Sequence, residues 1–508
     1  MDAARLLMID ISGPRLIPEE RAFLSERRPG GVCLFGRNVV DRYQVAELVA
    51  ELRSLAGADL LVAVDQEGGG VVRIPDLPYP PSAMALGAAD DTSLTHDVAA
   101  ATGKGLRAVG INVDFAPVAD VNSNPANPVI ADRSFGADPQ HVARHVAAFV
   151  TGLQSAGVAA TLKHFPGHGD VDVDSHLDLP TLEKTPEMLE RLEWLPFQAG
   201  MDAGAAAVMT AHILLPAVDA ELPGTLSPAV SGALLRQRLG FGGVVFSDAL
   251  EMKAIADRWK APEAAVLAIA AGVDMAAQVG PLTTHRQTVV ALEEALAQGR
   301  LDEVKLKDSL ARLERLSNAF PGIGADLAAA FPEGAEERLR DAARLGSVAI
   351  GDLPHLSRGS RVVLVAAGAS RQSAATQATV RPAAGLAGEL RELGAEVAEI
   401  EYRRGEADSA AEAALRAANG RDLLIFASTS RTALGADEQA LAMRLARQAP
   451  RFLHLALWNP FAVNVVPGPA LITFGWRARS LRAAALALFG ELVVTGSPPV
   501  RLEPARLA

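Results

Sequence analysis

The sequence is poor in cysteine, in aromatic residues and in long apolar runs. Cys33 is the one cysteine among 508 residues, and aromatic residues make up 5% of the chain. A single thiol excludes an intrachain disulfide and a thiolate metal cluster. No stretch reaches the roughly 18 uninterrupted apolar residues that span a bilayer. The opening MDAARLLMIDISGPRL is too acidic, and its apolar run too short, for a signal peptide. We therefore expect a soluble, cytoplasmic protein without a membrane partner.

The sequence also lacks an excess of positive charge. Its 48 Lys and Arg residues against 60 Asp and Glu residues give a formal charge of −12 and a pI near 5.4. Nucleic acids and anionic lipids would on average be repelled by such a surface, so we expect no nucleic-acid partner. With 49% hydrophobic and 21% charged residues, the composition is typical of a globular protein with large cores.

What the first 280 residues do contain is an alternation of short apolar runs with segments of helical period. This alternation is typical of parallel strands covered by helices, and amphipathic helices are predicted between the runs, for example over 41–56 and 186–204. The predicted strands are RLLMIDI (5–11), GVCLFG (31–36), LLVAVD (60–65), INVDFA (111–116), AATLKH (159–164), AAVMTAH (206–212), GVVFSD (243–248) and GVDMAA (272–277).

Eight strand-helix units without a Gly-rich dinucleotide turn favour a (β/α)8 barrel over a doubly wound open sheet. We predict this barrel over residues 1–320, a linker with one helix over 321–360 and a smaller α/β sandwich domain over 361–508. In the second domain, strands are predicted at RVVLVAAG, GAEVAEIEY, DLLIFAST, RFLHLALW and ALITFGW. Barrel enzymes carry their active sites at the carboxyl ends of the strands. The polar residues predicted at or near those ends are Asp65, Lys163, His164, His212, Asp248 and Asp274.

The stretch KHFPGHGDVDVDSH (163–176) concentrates Lys, His and Asp around two helix-breaking positions, Pro166 and Gly167. Three interpretations compete: a loop-borne zinc site, a solvated loop, and acid/base chemistry. Calcium is excluded because the spacing lacks the required Gly and Glu. In the acid/base interpretation, Asp174 orients the imidazole of His176, which then serves as a proton donor. Such chemistry needs a partner that attacks carbon.

A second segment, GGVVFSDALEMKAI (242–255), offers that partner in Asp248, which ends a predicted strand. Asp248 followed three residues later by Glu251 also suggests a helix N-cap, so both roles stay open at this point. Glu67, in the turn after Asp65, is expected to accept backbone hydrogen bonds. His212 fits a pocket or a core position equally well.

Taken together, these motifs identify a family. KHFPGHG, the DSH triplet and the SDxxxM segment occur in this order, with VAVDQEGG (62–69), DFAPVADVN (114–122) and IADRSFG (130–136) before them. Over roughly the first 320 residues the sequence resembles glycoside hydrolase family 3, most closely its β-N-acetylglucosaminidase branch. The resemblance implies the catalytic trio of Asp248 as nucleophile, His176 as acid/base and Asp174 as its partner. It implies sugar-binding roles for Asp65, Arg73, Arg133, Lys163 and His164. Gly70 stands where the family commonly has Arg, which removes one cation near the sugar or the neighbouring subsite.

The resemblance implies a retaining, exo-acting hydrolase of terminal β-linked N-acetylglucosamine, with a small carbohydrate as substrate and no metal or organic cofactor. Cell-wall fragments or chitooligosaccharides are the expected substrates. A β-glucosidase-like specificity, or phosphate as the acceptor, is the alternative within the family. From other classes, a metal-dependent barrel hydrolase using His164, His168 and His176 and a non-catalytic sugar-binding protein remain open.

Overall fold

The computed structural model describes residues 3–324, 327–368, 370–371, 379–403 and 405–505. Its first sheet contains eight parallel strands whose order follows the chain. Phe246 on the seventh strand pairs with Met275, just before the eighth, and so joins the two ends of the sheet. This barrel confirms the predicted fold class, and each predicted run overlaps one strand. The strands are β1 (Leu7–Ile9), β2 (Gly31–Leu34), β3 (Leu61–Val64), β4 (Val113–Asp114), β5 (Ala159–Phe165), β6 (Ala207–Thr210), β7 (Val244–Ser247) and β8 (Ala276–Gln278).

Every residue of these barrel strands is buried. One face of each strand fills the barrel and the other is covered by helices, which is why the strands read as near-continuous apolar runs rather than as alternating patterns. The helices of the barrel region are α1 (Pro18–Arg27), α2 (Arg42–Ala56), α3 (Ala83–Ala89), α4 (Thr92–Ala108), α5 (Pro139–Ser155), α6 (Pro186–Arg191), α7 (Trp194–Asp202), α8 (Lys253–Ala256), α9 (Ala261–Ala271), α10 (Leu282–Ala297) and α11 (Glu303–Ala319). A π-helical segment spans Pro228–Arg238.

Helix α2 begins where the sequence predicts it, because the Asp41 side chain accepts a hydrogen bond from the main-chain N of Gln44 at 2.8 Å. The helix predicted over 186–204 is instead two helices, α6 and α7, that are separated at Leu192. Pro196 explains the break. Proline lacks the N–H that an interior helical position requires, and here it lies in the first turn of α7, where no such donor is needed.

The second sheet has six strands: β9 (Val348–Ile350), β10 (Arg361–Ala367), β11 (Glu396–Tyr402), β12 (Leu423–Ser428), β13 (Phe452–Ala456) and β14 (Ala470–Ile472). Their order in the sheet is β9-β14-β13-β12-β10-β11. Only β9 runs antiparallel to its neighbour, and it lies within the segment predicted as the linker. Apolar clusters cover both faces of the sheet, as expected for a sheet between two helical layers. The remaining helices are α12 (Ala335–Leu345), α13 (Pro382–Glu392), α14 (Ala407–Ala418), α15 (Ala436–Gln448) and α16 (Ala478–Leu488).

The part of the chain that contains the six-stranded sheet, here called the second unit, extends polar side chains to the mouth of the barrel. The indole Nε1 of Trp458 donates to Asp132 Oδ1 at 2.7 Å, and the Arg477 Nε donates to the Gly69 carbonyl at 2.6 Å. Both barrel residues lie in loops that follow barrel strands, so the second unit contacts the side of the barrel on which the site was predicted. Across the described part of the chain, no helix combines the length and the apolar character needed to cross a membrane.

Candidate active site

A cavity of about 250 Å³ lies at the carboxyl ends of the barrel strands. It gathers residues from loops that are far apart in the sequence, as expected for a barrel enzyme. The predicted site residues that line it are Asp65, Arg73, Arg133, Lys163, His164, His176 and Asp248. The remaining predicted residue, Asp174, lies behind His176 and contacts its ring.

Asp248 directly follows β7, and its main-chain N donates to the Thr210 carbonyl at 3.1 Å. Burial acts to raise the pKa of its carboxyl group, but attraction to nearby imidazoles, that of His212 first, outweighs burial and keeps the pKa below its usual value. Asp248 is therefore an anion aimed into the cavity. The helix-cap role does not apply, because the next helix begins at Lys253 and has Met252 at its N-cap position.

His212 is fully buried and supports the turn that carries Asp248. Its Nδ1 lies 2.8 Å from Thr225 Oγ1, and its Nε2 lies 2.9 Å from the carbonyl oxygen of Ala249. Of the two positions that the sequence left open for His212, the structure selects the core.

The imidazole predicted as acid/base is held by its predicted partner. His176 Nδ1 lies 2.7 Å from Asp174 Oδ1, and the same oxygen accepts the main-chain N–H of His176 at 2.9 Å. The bonds from His176 lower the pKa of Asp174 to about 2 against the opposing effect of burial. The carboxylate thus stays ionised near neutral pH and fixes the ring, while Nε2 remains available to the cavity.

The loop that carries this pair is anchored by Asp120 and Asn127. Asp120 accepts hydrogen bonds from the main-chain N–H groups of His164 and His168, and its Oδ2 lies 2.7 Å from His164 Nδ1. Asn127 Nδ2 donates to the carbonyls of His168 and Val171 at 2.8 and 3.0 Å. Asp120 belongs to the DFAPVADVN motif of the sequence, whereas Asn127 was missed because nothing in its local sequence marks a partner some forty residues away.

The three histidines proposed for a metal-dependent hydrolase do not converge. His164 is bound to Asp120, His168 Nε2 lies 3.0 Å from Ser175 Oγ, and His176 is bound to Asp174. In the described residues, the group of His, Cys, Asp or Glu side chains that comes close enough to share a metal ion lies elsewhere. The geometry therefore disfavours the metal-hydrolase interpretation.

One wall of the cavity is a network of buried charges. Lys163 Nζ lies 2.7 Å from Asp65 Oδ1 and 2.5 Å from Glu67 Oε1. Arg133 contacts both oxygens of Glu67 at 2.8 Å, in a bidentate pair. These cations overcome burial and lower the pKa of Glu67. The prediction that Glu67 accepts backbone donors was wrong. Its main partners are side chains, which reach it through the fold rather than through the local turn.

The departure at Gly70 lies in a buried turn between the short strands Gln66–Gly68 and Val71–Val72. Arg73 follows this turn, lines the cavity and lies 3.3 Å from Asp65 Oδ2. The guanidinium of Arg477, from the second unit, contacts the carbonyl of the adjacent Gly69. Two arginines therefore flank the turn although position 70 itself carries no cation.

The sequence also missed Arg431, which belongs to the second unit. Its guanidinium donates to the carbonyl of Val129, a residue that lines the cavity. Arg431 is buried, and its charge contributes to the low pKa of Asp174. It lies more than three hundred residues from Val129 in the sequence. No local motif could have indicated the approach.

The chain is similar to known proteins in sequence and in fold. Residues 2–316 match the family model described as "Glycosyl hydrolase family 3 N terminal domain". Beta-hexosaminidase of Thiobacillus denitrificans (strain ATCC 25259 / T1) is 42% identical over 277 residues, 53% of this chain and 77% of that protein. Beta-hexosaminidase A of Pseudoalteromonas piscicida is 37% identical over 344 residues, 62% of this chain. The match spans only 57% of that relative's length.

Among solved structures, a glycoside hydrolase family 3 beta-N-acetylglucosaminidase from Paenibacillus sp. str. FPU-7 superposes with a TM-score of 0.90 at 32% identity and covers 99% of both chains. With the barrel and its carboxylate-lined cavity, these matches define the protein as a glycoside hydrolase. The matched family model spans well over half of the sequence, and the chain belongs to glycoside hydrolase family 3.

Proposed function

We propose that the protein is an exo-acting, retaining β-N-acetylhexosaminidase that releases terminal β-linked N-acetylglucosamine. The names of its relatives support this substrate, since proteins called beta-hexosaminidase and beta-N-acetylglucosaminidase are similar to it. The size of the cavity supports exo action. At about 250 Å³ it is smaller than the roughly 300–1,000 Å³ of sites for drug-sized ligands, and it suits a single sugar ring.

In the proposed reaction, the carboxylate of Asp248 attacks the anomeric carbon while His176 donates a proton to the departing glycosidic oxygen. The C–O bond to the aglycone breaks, and an ester between the sugar and Asp248 forms. The now neutral imidazole then removes a proton from water, whose oxygen displaces Asp248 from the sugar. Asp174 holds the imidazole in place and stabilises its charged form.

The buried charges beside the cavity give the sugar its hydrogen bonds. Asp65, whose pKa is lowered because Lys163 and Arg73 outweigh its burial, offers anionic acceptors for sugar hydroxyls. Lys163, His164, Arg133 and Arg73 offer donors around the same ring. Since these groups are already paired with one another, they hold their positions before the substrate arrives.

The observation that carries the proposal is that Asp248 and His176 line one cavity although they belong to different barrel loops. Replacement of Asp248 by Ala tests it. Hydrolysis of an aryl N-acetylglucosaminide should fall by about 10³-fold or more, while the thermal unfolding transition is retained. A slow 5-fluoro N-acetylglucosaminyl fluoride should add one sugar mass to the wild-type protein but not to Asp248→Ala. Retained turnover in that variant would refute the assignment.

Use of phosphate in place of water is the second candidate. A base that is a neutral imidazole, rather than a carboxylate, does not repel an incoming anion. Comparison of reactions in inorganic phosphate and in an inert buffer distinguishes the two, because phosphorolysis yields N-acetylglucosamine 1-phosphate and hydrolysis yields the free sugar.

The sugar specificity is a separate question. Aryl glucosides assayed beside aryl N-acetylglucosaminides test the β-glucosidase-like alternative. As the natural substrates we propose fragments of cell wall recovered in the cytoplasm, or chitooligosaccharides.

A further inference from the structure

A second cluster of chemically capable side chains lies outside the active-site cavity, where helix α3 meets helix α5. Asp90 follows the last residue of α3 in a left-handed conformation with φ of 48°. His141 and His145 are one turn apart on α5, so both rings project toward the same side of that helix. One potential ligand atom from each of Asp90, His141 and His145 lies within 4.8 Å of the others.

The hydrogen bonds of His145 fix which ring nitrogen carries a proton. Its Nδ1 lies 2.8 Å from Thr95 Oγ1, whose hydroxyl donates to the Asp91 carbonyl and therefore accepts from the ring. This leaves the lone pair of Nε2 facing Asp90 Oδ1 at 3.7 Å. That Nε2 is buried and has no hydrogen-bond partner among the described residues. The lone pair and the carboxylate oxygen are both electron-rich, so a cation that lies between them would bind to both.

His141 presents a second lone pair to the same carboxylate. Its Nδ1 lies 3.3 Å from Asp90 Oδ1 and accepts from the guanidinium of Arg144, also at 3.3 Å. Arg144 donates to Asp90 as well, at 3.1 Å. Arg144 is 55% exposed and can turn into solvent at little cost, so it is a replaceable cation at the edge of the cluster.

We propose that Asp90, His141 and His145 bind a divalent first-row transition ion, with Zn²⁺ as the best match, and leave the outer coordination positions to water. Two imidazoles and one carboxylate are common zinc ligands. Thr95 supplies the second contact that orients a ligating imidazole in such sites. The bound ion would join the end of α3 to α5 and lie beside Phe135, which stacks on His145 at 5.3 Å. It thus stabilises the fold next to the loop of Arg133.

A proton bound between the two imidazoles would be the alternative to a metal ion in this cluster. Burial, and after it the neighbouring His141, lowers the pKa of His145 to about 4. Burial likewise lowers the pKa of His141. Near neutral pH both rings are therefore neutral, which is the state that ligates metal. Arg144 donates to Asp90 and to His141, whereas His145 Nε2 receives no hydrogen bond from the residues that the structure describes.

Titration of Zn²⁺ into the full-length, chelator-treated protein tests the site, with Co²⁺ absorption as a second readout. About one ion per chain should bind, and the midpoint of thermal unfolding should rise with the Zn²⁺ concentration. Asp90→Asn and His141→Ala should each weaken binding at least about tenfold and abolish that rise. His145→Ala is less informative, because the ring is buried against Phe135 and its loss can affect folding.

Arg144→Gln gives the opposite prediction, since it removes the competing cation but retains a hydrogen-bonding side chain. Binding in this variant should tighten about threefold or more. His96→Ala, which removes a half-exposed histidine next to Asp97, is the control and should bind like the wild type. Equal affinity in wild type, Asp90→Asn and His141→Ala would overturn the proposal. So would loss of binding in His176→Ala instead, which would place the ion in the active site.

Discussion

His176 Nδ1 and Asp174 Oδ1 lie 2.7 Å apart on one loop, and the ring faces a cavity that Asp248 enters from another strand end. A carboxylate that also accepts the main-chain N–H of His176 cannot turn away from the ring without losing two hydrogen bonds. The pair therefore behaves as one unit. Because the pKa of Asp174 is lowered to about 2, its negative charge is present throughout the neutral range.

Asp174→Asn isolates the charge of this carboxylate from its hydrogen bond. The amide oxygen still accepts from Nδ1, so the ring stays oriented, but the imidazolium loses its counter-charge. We expect kcat for an aryl N-acetylglucosaminide to fall by about 10²-fold, with a smaller change in KM.

His176→Ala removes the proposed proton donor. The variant should lose more activity on a substrate with a poor phenolate leaving group than on one with a good leaving group, because a good leaving group needs no proton. Equal losses with both leaving groups would contradict the proton-donor role.

Because Lys163 and Glu67 belong to one network of charges, we predict that the effects on stability of substituting them are not additive. Lys163→Met removes the buried cation that Asp65 and Glu67 share and leaves them with Arg73 and Arg133, which should cost at most about 3–5 kcal/mol of stability. Glu67→Gln alone should also destabilise, because Arg133 then loses its bidentate partner. The double variant should be more stable than the sum of the two losses predicts, as measured by denaturant unfolding. Strict additivity would show that the two side chains do not interact.

From the position of Arg431 beside the cavity wall, we predict that the second unit influences catalysis. Arg431→Gln removes a buried cation near Asp174 and the guanidinium that donates to the Val129 carbonyl at the cavity wall. We expect a loss of about 1 kcal/mol, or roughly fivefold in kcat, with partial recovery in Arg431→Lys. Arg479→Gln is the matched control. It removes an arginine that pairs with Glu336 at 2.7 Å and does not line the cavity. An equal effect in both variants would indicate a general loss of packing rather than a role at Asp174.

The sequence revealed those parts of the site that follow a strand directly. Asp65, Lys163 and Asp248 end buried apolar runs, and the topology of a parallel barrel brings such ends together. Asp174 and His176 were found because two residues of spacing on a Gly-rich loop allow a direct contact. In each case the local sequence contained the relevant physical constraint.

The residues that the sequence missed are those whose partners are set by the packing of distant segments. Glu67 looked like a turn residue, but its partners Arg133 and Lys163 come from another barrel loop and from strand β5. Arg431 reaches Val129 only because the second unit docks against the barrel mouth. For the same reason the cluster of Asp90 and His145 was invisible, since its members lie on different helices.

The buried carboxyl group of Asp114 should make the stability of the folded protein depend on pH. Its Oδ1 accepts the main-chain N–H of Gln66 at 2.9 Å, whereas Oδ2 is buried and has no hydrogen-bond partner in the described residues. Burial raises the pKa of this carboxyl to about 8. Between about pH 4 and 8 the folded protein therefore holds a proton that the unfolded chain has released. Stability contributed by the protonated group is present at low pH and is lost as the pH rises through this window.

Asp114→Asn cannot lose a proton, and its side chain keeps the acceptor for Gln66. Relative to wild type, the variant should therefore gain stability as the pH rises from about 5 to about 8.5, with the two midpoints of thermal unfolding diverging by several degrees. Asp202→Asn, a substitution at an exposed position, should leave the pH dependence unchanged. Midpoints of Asp114→Asn and wild type that run parallel across this range would mean that Asp114 is already ionised in the folded protein, and that Lys163 compensates its buried charge.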